Sequence, residues 1–250
     1  MVAAAVASLA YRAATLTGSG AVAAWLVGMA VLVGTGWQGG GVLAAFFVSS
    51  NLVARGAPAP SGLDPKGERR DHRQVLANGG VAAAAALVGL RNPPLGHWLL
   101  TSALAAAAAD TWATAVGARS RVPPRLILGG GAVPPGTSGG VTAAGCAGGA
   151  AGALLVAATG AATSGSPALL AVAVLVGFGG MLLDSVLGAA LQGRFRCEGC
   201  GQPSEWPVHR CGSPTIHEGG LAWLDNDAVN LSAGAAATAA GWAAWRFLCA

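Results

Sequence analysis

Long apolar stretches, separated by short charged or proline-rich breaks, occupy most of this chain. A helix needs roughly 20 apolar residues to cross a bilayer, and the first and third stretches are short enough to be tilted, re-entrant or half-spanning. Only 10% of the residues are charged, whereas a soluble domain carries roughly 25%. We therefore predict an all-α polytopic membrane protein with seven or eight transmembrane helices and short loops, in one integral-membrane domain over residues 1–250. The predicted spans are residues 2–16, 19–37, 39–54, 74–90, 95–118, 139–160, 167–192 and 228–248.

Basic residues fall almost entirely on one side of this alternation of spans. Only Arg91 and Arg246 lie on the other side. The positive-inside rule then places the basic loops in the cytoplasm, so we expect a multi-pass protein of a bacterial-type cell membrane or an equivalent organelle membrane. Cations in such loops indicate membrane topology and not a nucleic-acid surface. The basic side carries Arg12, Arg55, Lys66, Arg69, Arg70, Arg73, Arg119, Arg121, Arg125, Arg194, Arg196 and Arg210, and the Gly/Pro-rich residues 57–65 are predicted to be a loop tip.

Two carboxylates lie inside predicted spans, Asp110 and Asp184. A charged side chain at the centre of a membrane helix costs at least about 2.5–3.5 kcal/mol, so it normally faces a partner or a wet cavity. Both helices end on the basic side, and both carboxylates could therefore face one cavity as ligands of Mg²⁺, which prefers carboxylate and phosphate oxygens. The alternative is that each Asp pairs with a Ser, Thr or Asn of a neighbouring helix.

Three spans begin on the basic side with polar or glycine-rich sequence. Residues 133–142, which we call the Gly-rich loop, precede the sixth span, while residues 74–80 open the fourth and residues 223–230 open the last. Helix N-termini and glycine-rich turns bind phosphate through free N–H groups, although Pro-Pro-Gly also simply starts a helix. Together with Asp225 and Asp227, these segments favour an anionic, phosphorylated ligand bound with a divalent metal.

Four residues of metal-binding types, three Cys and one His, lie close together in the loop after the seventh span, which we call the Cys/His loop (residues 193–221). Cys197 and Cys200 form a C-x₂-C pair, and His209 and Cys211 form an H-x-C pair. Four N/S ligands are typical of a closed, structural zinc site, and we expect such a site within residues 193–221. The alternative is three reduced surface thiols.

Several ordered blocks of this sequence resemble one known membrane family. The blocks are residues 16–21, 46–50, 70, 74–79, 110–114, 133–142, 184–192 and 223–230. The family is catalogued as domain of unknown function 92, and it includes the animal transmembrane protein 19 and the plant phytyl-phosphate kinase. The resemblance implies an enzyme similar to the plant member, which phosphorylates phytyl phosphate to the diphosphate. Here Ala115 stands at the family's usual Glu, Val53-Ala54 stand at its usual Thr-Lys, and the Cys/His loop looks like that of microbial members.

The resemblance and the residues together lead to the hypothesis of a membrane isoprenyl-phosphate kinase. Its partners would be a nucleoside triphosphate, a prenyl lipid phosphate and the bilayer, with Mg²⁺ as cofactor. Two other functions stay open: a transporter or flippase of an anionic or lipid-phosphate solute, and a lipid-phosphate nucleotidyltransferase. The expected catalytic residues are Asp110 and Asp184 as Mg²⁺ ligands, Asp227 as a third ligand, and Arg70, Arg73 and Arg125 on nucleotide phosphates; the expected substrate-binding residues are Asn78, Gly136, Thr137, Ser138, Gly139, Gly140, Asn226 and Asn230.

Overall fold

The protein is mainly a bundle of apolar helices. The computed structural model describes residues 1–58 and 69–249; Lys66 and most of the predicted loop tip at 57–65 lie outside the described residues. The helices are α1 (Val2–Arg12), α2 (Gly18–Ala54), α3 (His72–Val88), α4 (Pro93–Gly117), α5 (Ala143–Ser164), α6 (Pro167–Ala190) and α7 (Asn226–Leu248). The short strands are β1 (Arg125–Leu126), β2 (Gly140–Val141), β3 (Arg194–Cys197), β4 (Pro203–Ser204) and β5 (Thr215–Gly219).

Helix α2 reverses direction near its middle. Gly36 has φ 63° and ψ −154°, outside the helical region, a conformation that glycine adopts without a side-chain clash. The first half runs alongside α3 in the same direction, because Gly20 packs on the start of α3 and Gly34 packs on its end. The second half ends beside the end of α4, where Arg119 Nη2 donates to the carbonyl of Val53 at 2.8 Å. The two predicted spans 19–37 and 39–54 are therefore two antiparallel half-helices joined at Gly36.

The helix ends define two faces of the bundle, one of which we call the basic end. There α3 and α7 begin side by side, and Arg73 and Asp225 form an ion pair of 2.6 Å. At the opposite end the start of α4 meets the end of α7, where the ring centroids of Trp98 and Trp245 are 5.2 Å apart. Of the basic residues that the structure describes, only Arg91, between α3 and α4, and Arg246, near the end of α7, belong to the opposite end.

Helix α4 is the central helix of the bundle. It is buried over most of its length, and residues such as Leu100 and Leu104 have no exposed surface. Small residues let its neighbours approach closely: a Cβ at Gly152 of α5 would lie 2.8 Å from the carbonyl oxygen of Ala108. A Cβ at Gly177 of α6 would likewise lie 2.8 Å from the side chain of Ala105. Small-residue contacts of this kind are typical of helix packing in membranes, where backbones meet by close van der Waals contact.

Among the described residues, four helices are long and apolar enough to cross a membrane: α2, α4, α5 and α6. Helix α1 has 11 residues and α3 has 17, and α7 is not among the helices that are sufficiently apolar. The prediction of a mostly helical, multi-pass membrane protein is confirmed at this coarser level. The predicted number of seven or eight crossings stays a prediction.

The loops add two small antiparallel sheets to the helices. Strands β1 and β2 pair beside the start of α5, and β4, β3 and β5 form a three-stranded sheet in that order. In β3, Arg194 and Arg196 are exposed while Phe195 and Cys197 are buried, which is the period-two pattern of a half-buried strand. The expectation of an all-α chain was therefore wrong for the Cys/His loop. The alternation in β3 is only four residues long, which is too short to indicate a strand in the sequence.

Candidate functional site

A narrow cavity between α3, α4, α6 and α7 brings together polar side chains that are far apart in the sequence. Asn78, Asp110, Asp184 and Asn230 line it, one from each helix. The other lining residues are alanine, glycine and valine, several of them three or four positions from the polar residue on the same helix, a spacing that marks one helical face. The structure thus brings both predicted Mg²⁺ ligands and two predicted substrate-binding amides to one cavity.

The four polar side chains lie at similar depths below the basic end. Asp110 is seven residues before the end of α4, and Asp184 is six before the end of α6. Asn78 is six residues after the start of α3, and Asn230 is four after the start of α7. At a rise of 1.5 Å per residue, these positions are about 6 to 11 Å inside the bundle. They form one polar layer inside the bundle.

One carboxylate oxygen in this layer has no hydrogen-bond partner among the residues that the structure describes. In the described part of the chain, Oδ2 of Asp184 is buried and has no hydrogen-bond partner. Asp110 is near enough to Asp184 for a direct Coulombic interaction. Buried polar atoms without partners are rare in native structures, and carboxylate and amide oxygens suit a hard divalent cation. The donor set therefore fits Mg²⁺, and the alternative of simple pairing with a neighbouring Ser, Thr or Asn does not account for Oδ2.

An ion-pair cluster lies on the basic-end side of the cavity. Arg73 Nη2 is 2.6 Å from Oδ2 of Asp225, and its Nε is 3.8 Å from Oδ2 of Asp227. Arg73 lies one turn before a cavity residue of α3, and Asp227 lies one turn before Asn230 of α7. Asp225 also caps α7 by accepting from the N–H of Ala228 at 2.9 Å. Asp227 is buried beside Arg73 and is not among the cavity-lining residues, and its role as a third metal ligand stays a prediction.

The other two predicted arginines lie in the loops of the basic end. The backbone of Arg70 accepts from the N–H of Thr17 at 3.0 Å and tethers the start of α3 to the start of α2. Burial lowers the pKa of the Arg70 guanidinium below its usual value. Arg125 lies on β1, where its Nη1 donates to the carbonyl of Gly130 at 3.0 Å. Neither residue lines the cavity.

The Gly-rich loop packs on α6 immediately beyond Asp184. Gly139 has a φ of 79°, and a Cβ on it would lie 2.7 Å from the carbonyl oxygen of Ser185 and against the side chain of Ala189. The loop is also tied internally, since Thr137 Oγ1 donates to the carbonyl of Pro134 at 2.8 Å. It leads into α5, whose N-cap Thr142 accepts from the N–H of Gly145 at 2.9 Å. The predicted residues Gly136 to Gly140 therefore lie above the polar layer, and Asn226 is exposed at the start of α7.

Glu205 links the Gly-rich loop to the Cys/His loop, a role that sequence analysis missed. Its Oε1 accepts a short hydrogen bond from Oγ of Ser138. Its Oε2 accepts from Nε2 of Gln192 at 2.8 Å. No local pattern marks Glu205, because its partners are 67 and 13 residues away along the chain.

The four predicted Cys/His ligands converge outside the bundle. The ligand atoms of Cys197, Cys200, His209 and Cys211 all lie within 4.8 Å of one another. The hydrogen bond with His209 is the largest of the causes that lower the pKa of the Cys211 thiol, to about 6. All three cysteines are free thiols, so the cluster offers three sulfur atoms and one imidazole nitrogen as potential ligands.

These features define a polytopic integral membrane protein with a polar intramembrane cavity below a basic surface. The chain belongs to the family described as integral membrane protein DUF92, whose model matches residues 1–238. The resemblance found in the sequence is therefore confirmed. Comparisons with curated proteins and with solved structures found no match.

Proposed function

We propose that this protein is an integral-membrane isoprenyl-phosphate kinase. It transfers a phosphoryl group from a nucleoside triphosphate to a prenyl lipid monophosphate, in the manner of the plant phytyl-phosphate kinase that its family includes. The observation that carries the proposal is the shared cavity of Asp110 and Asp184, with an unpartnered carboxylate oxygen and two asparagines beside it. A paired intramembrane carboxylate is a functional site by default, and these donors suit a metal–phosphate unit.

The composition of the site agrees with the chemistry of this reaction. The acceptor is an ionised phosphate oxygen, which attacks the γ-phosphorus as the bond to the β-phosphate oxygen breaks and the nucleoside diphosphate leaves. No proton has to be removed from the acceptor, so the site needs no general base. Phosphoryl transfer depends mainly on positioning and on neutralising charge. Bound Mg²⁺ would neutralise charge on the phosphates.

Each group of residues has a distinct role in this proposal. Asp110 and Asp184 hold the metal, and the amides of Asn78 and Asn230 orient phosphate oxygens beside it. Arg73 leaves its ion pairs with Asp225 and Asp227 and binds the incoming nucleotide phosphates. Arg70 and Arg125 also bind these phosphates. The Gly-rich loop covers the transferred or acceptor phosphate from the α6 side. Asp227, released from Arg73, becomes available as a third acidic ligand.

The proposed topology has seven crossings, with the basic end in the cytoplasm. The two halves of α2 count separately, and each is about 27 Å long at 1.5 Å per residue. With α3 to α7 they make seven crossings, whereas α1, about 16 Å long, does not cross. The positive-inside rule supports the orientation, and the cytoplasm is also where a nucleoside triphosphate is available.

A product assay on the purified protein tests the proposal. The protein is incubated in detergent with Mg²⁺, each of the four common nucleoside triphosphates, and phytyl, geranylgeranyl or farnesyl phosphate. The expected products are the prenyl diphosphate and the nucleoside diphosphate, measured by mass spectrometry. Release of pyrophosphate would instead indicate a nucleotidyltransferase. Solute uptake into proteoliposomes without nucleotide turnover would indicate a transporter, and either result would refute the kinase proposal.

A further inference from the structure

Cys197, Cys200, His209 and Cys211, which we call the Cys/His cluster, have their ligand atoms close enough together to surround one metal ion. The Sγ atoms of Cys197 and Cys211 are 3.5 Å apart, and those of Cys211 and Cys200 are 4.0 Å apart. Nδ1 of His209 is 3.5 Å from Cys200 Sγ and 3.1 Å from Cys211 Sγ. A tetrahedron with Zn–S of about 2.3 Å and Zn–N of about 2.0–2.1 Å has edges of about 3.6–3.8 Å. The sulfur separations are far longer than the roughly 2.05 Å of a disulfide bond.

Two similar turns present the four ligands. After Cys200, Gly201 has a φ of 69° and donates its N–H to the carbonyl of Cys197 at 2.9 Å. After Cys211, Gly212 has a φ of 85° and donates its N–H to the carbonyl of His209 at 2.8 Å. Each turn thus brings the two ligands of one pair close together, and the ligand atoms of both pairs lie within 4.8 Å of one another.

The sheet around the cluster has little apolar material of its own. In residues 194–219 the buried side chains are Phe195, Cys197, Ser204 and His209, while Val208 and Ile216 are more than half exposed. Units of fewer than about 40 residues usually need a metal, disulfides or association to be stable. Two of the four buried side chains are themselves members of the cluster, so a bound ion would stand at the centre of this small core.

We propose that Cys197, Cys200, His209 and Cys211 bind one Zn²⁺ as a closed structural site, which positions Glu205 for its contacts with the bundle. Four protein ligands leave no open coordination position for catalysis. Glu205 directly follows β4, which pairs with β3, and β3 ends at Cys197. The metal therefore fixes the strand pair from which Glu205 reaches Ser138 of the Gly-rich loop and Gln192 at the end of α6.

Metal content of the purified full-length protein is the first test. We expect about one zinc per chain by elemental analysis, and near-complete loss of zinc in Cys200→Ser and Cys211→Ser. Cys146→Ser in α5 and Cys249→Ser after α7 are matched controls, because these free cysteines lie outside the cluster, and both should keep the metal. Zinc-free wild-type protein, or iron in place of zinc, would overturn the proposal. If a cluster variant fails to fold, exchange of the wild-type metal for Co²⁺ gives the same answer through thiolate-to-cobalt absorption bands.

Hydrogen exchange tests the positioning role without reference to enzymatic activity. Removal of the metal from the wild-type protein by a chelator should increase exchange at least several-fold in residues 133–142. Glu205→Gln, which keeps the shape but loses the carboxylate charge, should increase exchange in the same residues while zinc content stays unchanged. Unchanged exchange in both experiments would overturn the positioning role. The hydrogen-exchange results do not depend on enzymatic activity, so a failed kinase assay would not change the conclusion about Glu205.

Discussion

Replacing Gly139 by alanine isolates the contribution of the Gly-rich loop. Two penalties follow from the structure. A non-glycine residue at a φ of 79° is strained by about 1–2 kcal/mol. The new Cβ would also lie 2.7 Å from both the carbonyl oxygen of Ser185 and the backbone nitrogen of Ala189, and overpacking of this kind typically costs about 1–3 kcal/mol. The total of about 2–5 kcal/mol acts locally, so we expect the loop to move away from α6 while the bundle stays folded.

Gly129→Ala is the matched control for this variant. Gly129 also has a positive φ, 91°, but a Cβ there would meet no atom within 4 Å. It therefore carries the conformational strain without the contact with α6. In hydrogen exchange, Gly139→Ala should deprotect residues 133–142 strongly, and Gly129→Ala should leave them nearly unchanged. In the kinase assay, only Gly139→Ala should lower turnover, by about 10-fold or more for a displacement of about 1 Å.

Equal behaviour of the two alanine variants would refute the reasoning. It would mean that the contact of Gly139 with α6 does not hold the loop in place. Full activity of Gly139→Ala, together with increased hydrogen exchange in residues 133–142, would mean that the Gly-rich loop does not take part in phosphate binding.

Three further variants test other parts of the account. Arg73→Gln should lower stability by less than about 1 kcal/mol, because the ion pair is exposed on the arginine side, and should raise KM for the nucleotide. Ala115→Glu should not restore turnover to Asp184→Asn, because position 115 does not line the cavity; equal rates for this double variant and the wild type would contradict the assignment. Gly152→Leu should lower the thermal midpoint sharply, because its Cβ already meets α4 at 2.8 Å, whereas Gly179→Leu on open α6 surface should not.

The position of the carboxylates followed from helix direction and hydropathy alone. Asp110 and Asp184 were expected near one another because both lie in apolar helices that end at the same face, and the cost of burying charge favours a shared polar layer. The cysteine spacing likewise predicted the convergence of Cys197 with Cys211. The cost of burying charge restricts where the two carboxylates can lie. The need for four ligands restricts how the cysteines and the histidine can be arranged.

Contacts between distant loops carried no comparable signal. Arg73 pairs with Asp225 across 152 residues, and nothing near either residue in the sequence indicates the other. Asp227 is buried beside Arg73 and does not line the cavity of Asp110 and Asp184, and no pattern near it in the sequence indicates this position. The predicted break between the second and third spans lies at residue 38, two residues after the chain reversal at Gly36. The sequence has many glycines in this region, and nothing in it indicates which one has a positive φ.

Turnover of Asp184→Asn is the most direct test of the central claim. Asparagine keeps the shape of the side chain but removes the charge that holds Mg²⁺. Glu218→Gln is the control, since it also removes one carboxylate charge but lies on β5, outside the cavity. We predict a loss of prenyl diphosphate formation of about 100-fold or more in Asp184→Asn, with wild-type expression and folding, and no loss in Glu218→Gln. Wild-type turnover by Asp184→Asn would contradict the claim that this cavity is the site of phosphoryl transfer.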